Sequence, residues 1–252
     1  MDFKDKVNKS TFTKEIDTLT KEYNTFFHGL IDSDNDKDYK KAALLFYWLR
    51  DFKNYIKIED KFEPRRLIRY ERGNIIKCNL GFNVGSEEGG MHYAVVVDKE
   101  NAANSPVITV IPLTSKKAYK TEIHDNEIDL GDELYQKIKI KNDTMLRTIS
   151  NKIQELKELM NTFKEGSRPP EIEKQINDQL DECEAKIRLC RKIQKEVNKM
   201  KIGSIALVSQ LTTISKIRIY DPKNMYGNLS GIKLSKKSLD MLNEKIMELF
   251  VF

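Results

Sequence analysis

Apolar residues recur along this chain at two different spacings, and the change of spacing divides it. After Ser10 and Thr11, which can cap a helix, Ile16, Leu19, Tyr23 and Phe26 form a stripe at three-to-four intervals. A second stripe, Leu44, Leu45, Trp48, Phe52 and Tyr55, predicts another helix from about Asp38 to Ile58, and Pro64 closes this helical region. From Leu67 to Ser115 the pattern changes to short runs rich in Val and Ile: Asn74–Leu80, Tyr93–Asp98 and Val107–Leu113, with Asn126–Leu130 as a further short strand. Leu146, Ile149, Ile153, Leu156, Met160 and Phe163 then alternate by three and four, as a heptad seam does. The break Gly166–Pro170 interrupts it, and Ile176, Leu180, Cys183, Ile187, Cys190, Ile193, Val197 and Met200 resume it. Two such stretches around a Gly/Pro break predict an antiparallel helical hairpin with arms about 40 Å long. Strand patterning returns at Ser204–Gln210 and Ser215–Tyr220, and a helix from Ser235 carries Leu239, Leu242, Ile246 and Leu249 on one face.

The strands therefore lie on both sides of the hairpin. The expected class is α+β: an N-terminal helical region at 1–62, a small β-barrel-like core built from 67–131 and 202–252, and a hairpin inserted at 133–201. Such an insertion is tolerated because lengthening a closed loop costs little further entropy.

Composition narrows the class. The chain has 252 residues, 44 Lys+Arg and 39 Asp+Glu, for a net charge of +5. No run approaches the roughly 20 apolar residues of a membrane helix. The opening MDFKDKVNKS has no apolar stretch, so no secretory signal is expected and the location is expected to be cytoplasmic. Three widely spaced cysteines, Cys78, Cys183 and Cys190, read as reduced buried thiols rather than a disulfide framework. Asp32, Asp34 and Asp36 imitate the start of a calcium loop, but Lys37 stands where Gly is needed and Ala43 where a bidentate Glu belongs. No Cys/His spacing points to zinc, so no metal and no cofactor are expected.

The strand blocks resemble the MazF/PemK (Kid) family of toxin endoribonucleases. The matching segments run in order: Arg72-Gly73-Asn74-Ile75, the loop Gly85-Ser86-Glu87-Glu88-Gly89-Gly90, the strand Tyr93–Val97, Ser105–Ser115, Glu127-Ile128-Asp129 and Ser204–Ile219, with the C-terminal helix. They cover about half of the chain and leave out the N-terminal helices and the hairpin. The resemblance implies an SH3-like or plasmid-maintenance-toxin barrel with a C-terminal helix, a homodimer, and metal-independent cleavage of single-stranded RNA through attack by the ribose 2′-OH. It also implies an antitoxin that occupies the RNA groove; here the helical additions offer an alternative cover in cis.

Carried over residue by residue, the resemblance aligns the family's catalytic Arg with His92 and its catalytic Thr with Thr114. The Pro after the Arg becomes Tyr93, Glu-Gln becomes Ser209-Gln210, and Arg-Thr-Ile becomes Thr212-Thr213-Ile214. A His, with an ordinary pKa of about 6.5, exchanges protons near neutrality where Arg does not, but it clamps phosphate less permanently. Thr114 offers a hydroxyl to a phosphate oxygen. Lysines near 116–120, Lys116 and Lys117 foremost, are expected to hold the scissile backbone. Ser86, Glu87, Gly89, Gly90, Ser115 and Gln210 complete the expected RNA contacts. Glu87 and Glu88 are read as setting the position of the loop, and His28 and His124 as structural. Two further classes remain open: a catalytically inactive relative that binds nucleic acid or protein, and an interaction protein whose hairpin carries the activity.

Overall fold

The computed structural model describes residues 5–117, 122–163 and 169–251. Lys120 and the Gly166–Arg168 part of the hairpin break lie outside them. The chain divides into two units, Met1–Asp60 and Lys61–Phe252.

The first unit consists of α1 (Lys9–Ile31) and α2 (Asp36–Ile58). The acidic segment between them is cap chemistry. The Asn35 side chain accepts from the Lys37 amide at 3.0 Å, and Ser33 Oγ donates to Asp38 at 2.9 Å. Trp48 meets Phe52 at 5.6 Å and Tyr55 at 6.3 Å between ring centroids. Among the described residues of this unit only Ala42 is buried, and the stripe of α1 stays half-exposed.

The second unit is built on a seven-stranded antiparallel sheet: β1 (Ile75–Asn79), β2 (Met91–Val96), β3 (Val107–Ser115), β4 (Glu127–Asp129), β5 (Ser204–Leu207), β6 (Thr212–Ser215) and β7 (Ile219–Asp221). The strand order is β4-β5-β3-β2-β1-β7, with β6 paired to β3. β3 is the hub. It meets β6 through Val107–Val110, β2 through Val110–Leu113 and β5 through Leu113–Ser115. The stretch Ser215–Tyr220, expected as one strand, is broken by a 3-10 turn at Lys216–Arg218. There the buried Lys216 turns inward, and its ammonium donates to the Ala102 carbonyl at 3.1 Å.

Strand alternation sends side chains to opposite faces, and both faces are buried. On one, Ile76, Cys78, Ala94, Val96, Val110, Ile214 and Ile219 gather around Tyr70. These come from β1, β2, β3, β6 and β7, so the sheet curls around them like a barrel. The other face, with Ile75, Val95, Ile111 and Leu113, is covered by helices.

Those helices are α3 (Glu133–Asn161), α4 (Pro170–Lys199) and α5 (Lys236–Phe250). α3 and α4 form the antiparallel pair, with Ile149, Cys183 and Cys190 packed together in its seam. Nearer the sheet, Leu134, Ile138, Ile193 and Val197 leave the seam and enter the sheet core. Burying each such side chain contributes about 1.5–3 kcal/mol, so the base of the hairpin is part of the core. Polar ties fasten it further. Glu133 accepts from the Ser235 amide and from the Ser235 and Ser238 hydroxyls, joining the start of α3 to the cap of α5. Lys141 Nζ donates to the carbonyls of Gly227, Asn228 and Ser230 at 2.7–3.1 Å. Arg72, in the opening segment of the resemblance, bonds the Val97 carbonyl and Asn243 of α5, a structural role.

Candidate active site

The loop between β1 and β2 closes on itself. Leu80 N donates to Gly90 O at 2.8 Å and Gly90 N to Gly81 O at 2.6 Å, which extends the β1–β2 ladder. Two glycines make this possible. Gly90 has φ +84, and a Cβ on Gly89 would lie 2.8 Å from the Gly81 carbonyl oxygen. Gln210, in the 3-10 turn after β5, grips the loop from the far side. Its Oε1 accepts from the Glu88 amide at 2.5 Å, and its Nε2 donates to the Ser86 carbonyl at 3.2 Å.

His92 is the second residue of β2 and stands opposite Cys78 in the ladder. Its Nε2 lies 2.8 Å from Glu88 Oε1 and its Nδ1 lies 3.0 Å from the Leu113 carbonyl. Both ring nitrogens thus face acceptors, an arrangement satisfied when both carry protons. Burial of the ring opposes its charge, but the bonds to Glu88 and Leu113 and the Glu88 carboxylate outweigh that and raise the His92 pKa above its ordinary 6.5. The last β2–β3 pair is Tyr93 with Leu113, and Ala94 pairs with Pro112. By alternation, His92 and Thr114 therefore belong to the same face of the sheet, at adjoining strand positions. Cys78, next to them, is buried and its thiol is pushed up to about 12, mainly by that burial.

Three concavities adjoin this point. One, of about 570 Å³, is lined by Glu88, Thr114, Ser115, Lys117, Glu122, His124, Glu127 and Gln210, with Ile205 and Leu207 as its apolar lining. A second, of about 610 Å³, is lined by Ser86, Glu87, Glu88, Ser209, Gln210 and Arg218 among others. The two share Glu88 and Gln210. A third, of about 250 Å³, shares Thr114 and Ser115 with the first. The three thus form a chain of depressions with Glu88 and Thr114 at its joints.

The expected residues are distributed unevenly over this track. Ser86, Glu87, Thr114, Ser115, Lys117 and Gln210 line it. His92 lines none of the three depressions and stands behind Glu88, which lines two. Lys116 turns to Asp129, at 2.5 Å, and holds that carboxyl below its ordinary range. Gly89 and Gly90 shape the loop rather than line a wall. Several lining residues were not expected at the site from the sequence, among them His124, Arg218 and Glu196. His124, read as structural, is exposed on the wall of the first depression. Arg218 borders the second and donates from Nε to the Asn79 carbonyl at 2.7 Å. Glu196 of α4 lines the third. Among the described residues no group of three or more His, Cys, Asp or Glu is placed to hold a metal ion. No helix among them is long and apolar enough to cross a membrane.

A curled antiparallel sheet with a C-terminal helix and a polar track along one strand end defines a small barrel-like β domain. Residues 71–165 match the model of the PemK-like, MazF-like toxins of type II toxin-antitoxin systems. The matched range holds β1–β4, the Gly-rich loop and all of α3. No curated protein matches the chain significantly.

Proposed function

We propose that the chain is an endoribonuclease toxin that cleaves single-stranded RNA along the track centred on Glu88 and Thr114. The observation that carries this reading is the His92–Glu88 contact at the joint of two depressions, because a proton donor and a proton acceptor in contact supply both halves of a phosphoryl transesterification. The family match over residues 71–165 supports it, since these toxins are generally endoribonucleases that act on RNA.

The chemistry follows from these groups. Glu88 takes the proton of the ribose 2′-OH. The 2′-oxygen bonds to the adjacent phosphorus, and the bond from phosphorus to the 5′-oxygen breaks. Movement of the loop that carries Glu88 uncovers His92 Nε2 behind it, and His92 gives its proton to the departing 5′-oxygen. Thr114 Oγ donates to a non-bridging phosphate oxygen as charge builds there, and Lys117 holds the neighbouring backbone. Glu88 is then protonated and His92 neutral, and transfer of one proton across their 2.8 Å contact restores the starting state. The products are a 2′,3′-cyclic phosphate and a 5′-OH, and no step calls on a metal. His92 is thus assigned as the acid and Glu88 as the base. The Gly-rich loop carries Glu88, so its release from Gln210 admits the substrate. Because these toxins are partnered with an antitoxin, an antitoxin segment filling the same track is the matching inhibitor.

The test is incubation of the purified chain with single-stranded RNA in EDTA and in magnesium, with sequencing of the new 5′ ends. Cyclic-phosphate and 5′-OH products in both buffers support the reading. RNA left intact in both rejects it, and RNA bound but intact favours a binding module.

A further inference from the structure

The third depression is where the inserted hairpin meets the sheet. Glu196 of α4 accepts from the Tyr93 hydroxyl of β2 at 2.5 Å and pairs with the Lys77 ammonium of β1, which also lies 5.3 Å from the Tyr93 ring centroid. Burial opposes the ionisation of Glu196, yet the bonds from Lys77 and Tyr93 hold its carboxyl below the usual range. The carboxylate is therefore committed to this knot. Lys199 and Lys201 border the same depression and are exposed. Its wall thus sets three ammonium groups against a single carboxylate, with the hydroxyls of Thr114, Ser115 and Ser204 alongside.

Lysines in the last turn of a helix are common, because they offset its carbonyl end. That accounts for Lys199. It does not account for Lys201, which lies beyond α4, whereas Lys77, from a strand, is accounted for by its pair with Glu196. At about 250 Å³ the space is below the range of drug-sized pockets and suits a compact anion. Its shared wall with the first depression is Thr114 and Ser115, and Thr114 is the residue proposed to meet the scissile phosphate.

We infer that Lys199 and Lys201, beside the Lys77–Glu196 pair, form a phosphate subsite through which the hairpin base extends the RNA track past Thr114. The ligand class is a phosphodiester of single-stranded RNA, and the inference rests on the nuclease reading above for that choice. The hairpin is then a part of the substrate groove, and RNA must cross its base to be held fully.

The test uses the full chain and a fluorescent single-stranded RNA, with affinity measured across a salt series for wild type, Lys199→Glu/Lys201→Glu and Lys199→Gln/Lys201→Gln. Both lysines are exposed, so both variants keep the fold, which circular dichroism verifies. The expected result is a Kd raised about tenfold by Glu and less by Gln, and a salt slope that falls by roughly 0.7 for each phosphate no longer neutralised. A Kd within about twofold of wild type and an unchanged slope overturn the inference. So does binding of an acidic peptide, but not of RNA, that depends on these lysines. Cleavage assayed in parallel separates the two readings. A wild type that cuts RNA while the lysine variants bind normally sinks the subsite alone. Lysine-dependent binding without any cutting sinks the nuclease reading alone.

Discussion

His92 Nε2 and Glu88 Oε1 are 2.8 Å apart, four residues apart in sequence and joined across a turn that Gly89 and Gly90 make possible. The contact brings a loop carboxylate to a strand imidazole whose other nitrogen already faces the Leu113 carbonyl. As the proposed general acid and base they should each matter by the usual 10²–10⁴ in rate. Replacing His92 by Ala or Glu88 by Gln is expected to lower RNA cleavage by about 100-fold or more, with RNA affinity changed far less. Single-turnover rates beside a binding curve check this, and variants that cut at the wild-type rate remove the pair from the chemistry.

The pH dependence of that activity has a sign. His92 must hold its proton to act as the acid, and its pKa is raised above 6.5. Cleavage should therefore fall at the alkaline side as pH passes the raised value, not at 6.5. Replacing Glu88 by Gln removes the charge that favours the imidazolium, so the alkaline limb of the residual activity should move to lower pH. A limb that stays in place shows that Glu88 does not hold the proton on His92.

Stability follows the same linkage. A group whose pKa is higher in the folded chain contributes stability that is complete below its unfolded pKa, about 6.5, and is lost as pH rises through the folded value. The melting temperature of wild type minus that of His92→Gln should be largest below pH 6.5 and shrink on the alkaline side. A difference that is flat from pH 5 to 9 contradicts the pairing.

The grip of Gln210 on the loop is open to direct measurement. Two hydrogen bonds, to the Glu88 amide and from Nε2 to the Ser86 carbonyl, are each worth about 1 kcal/mol net. Gln210→Ala should speed hydrogen exchange at the Glu88 amide by about fivefold to tenfold while the β1–β2 ladder stays protected. Exchange at the wild-type rate shows that the loop holds itself shut.

Ile193 is fully buried, on α4, in the cluster that joins hairpin to sheet. Ile193→Ala should cost about 2–5 kcal/mol, whereas Leu159→Ala, at a side chain 37% exposed, should cost much less. Urea unfolding of the full chain separates them. A small effect at Ile193 means that the hairpin is merely attached to the core.

How far the sequence reached depended on what each residue needed from distant partners. The α+β class and the heptad seam were readable because spacing alone encodes a helical face, and Ile149, Cys183 and Cys190 occupy the seam as expected. The departures are tertiary. Lys216 looked like one more polar position in a strand until its ammonium found the Ala102 carbonyl and the chain turned. At the proposed site, His92 and Thr114 are named through their segments' resemblance, and the structure places them on neighbouring strands. Glu88 facing the track in place of His92 depends on how the loop closes, which no spacing reports. His124, Arg218 and Glu196 reach the depressions from loops, turns and a helix far along the chain, and nothing local distinguishes them from solvated residues. Tyr93 is the instructive case: a departure from the family pattern whose hydroxyl meets a carboxylate of the insertion.

The pairing of β4 with β5 carries a consequence for how the molecule assembles. Asp129 lies opposite Ile205, and the entire hairpin stands between them in the chain. Closing so long a loop from an unstructured chain costs entropy before any strand contact repays it. Two helices that zip through local contacts bring the ends of that loop together first, and the remaining search is short. The insertion is then a splint for the sheet it interrupts, and weakening its seam should slow refolding before it alters the finished groove.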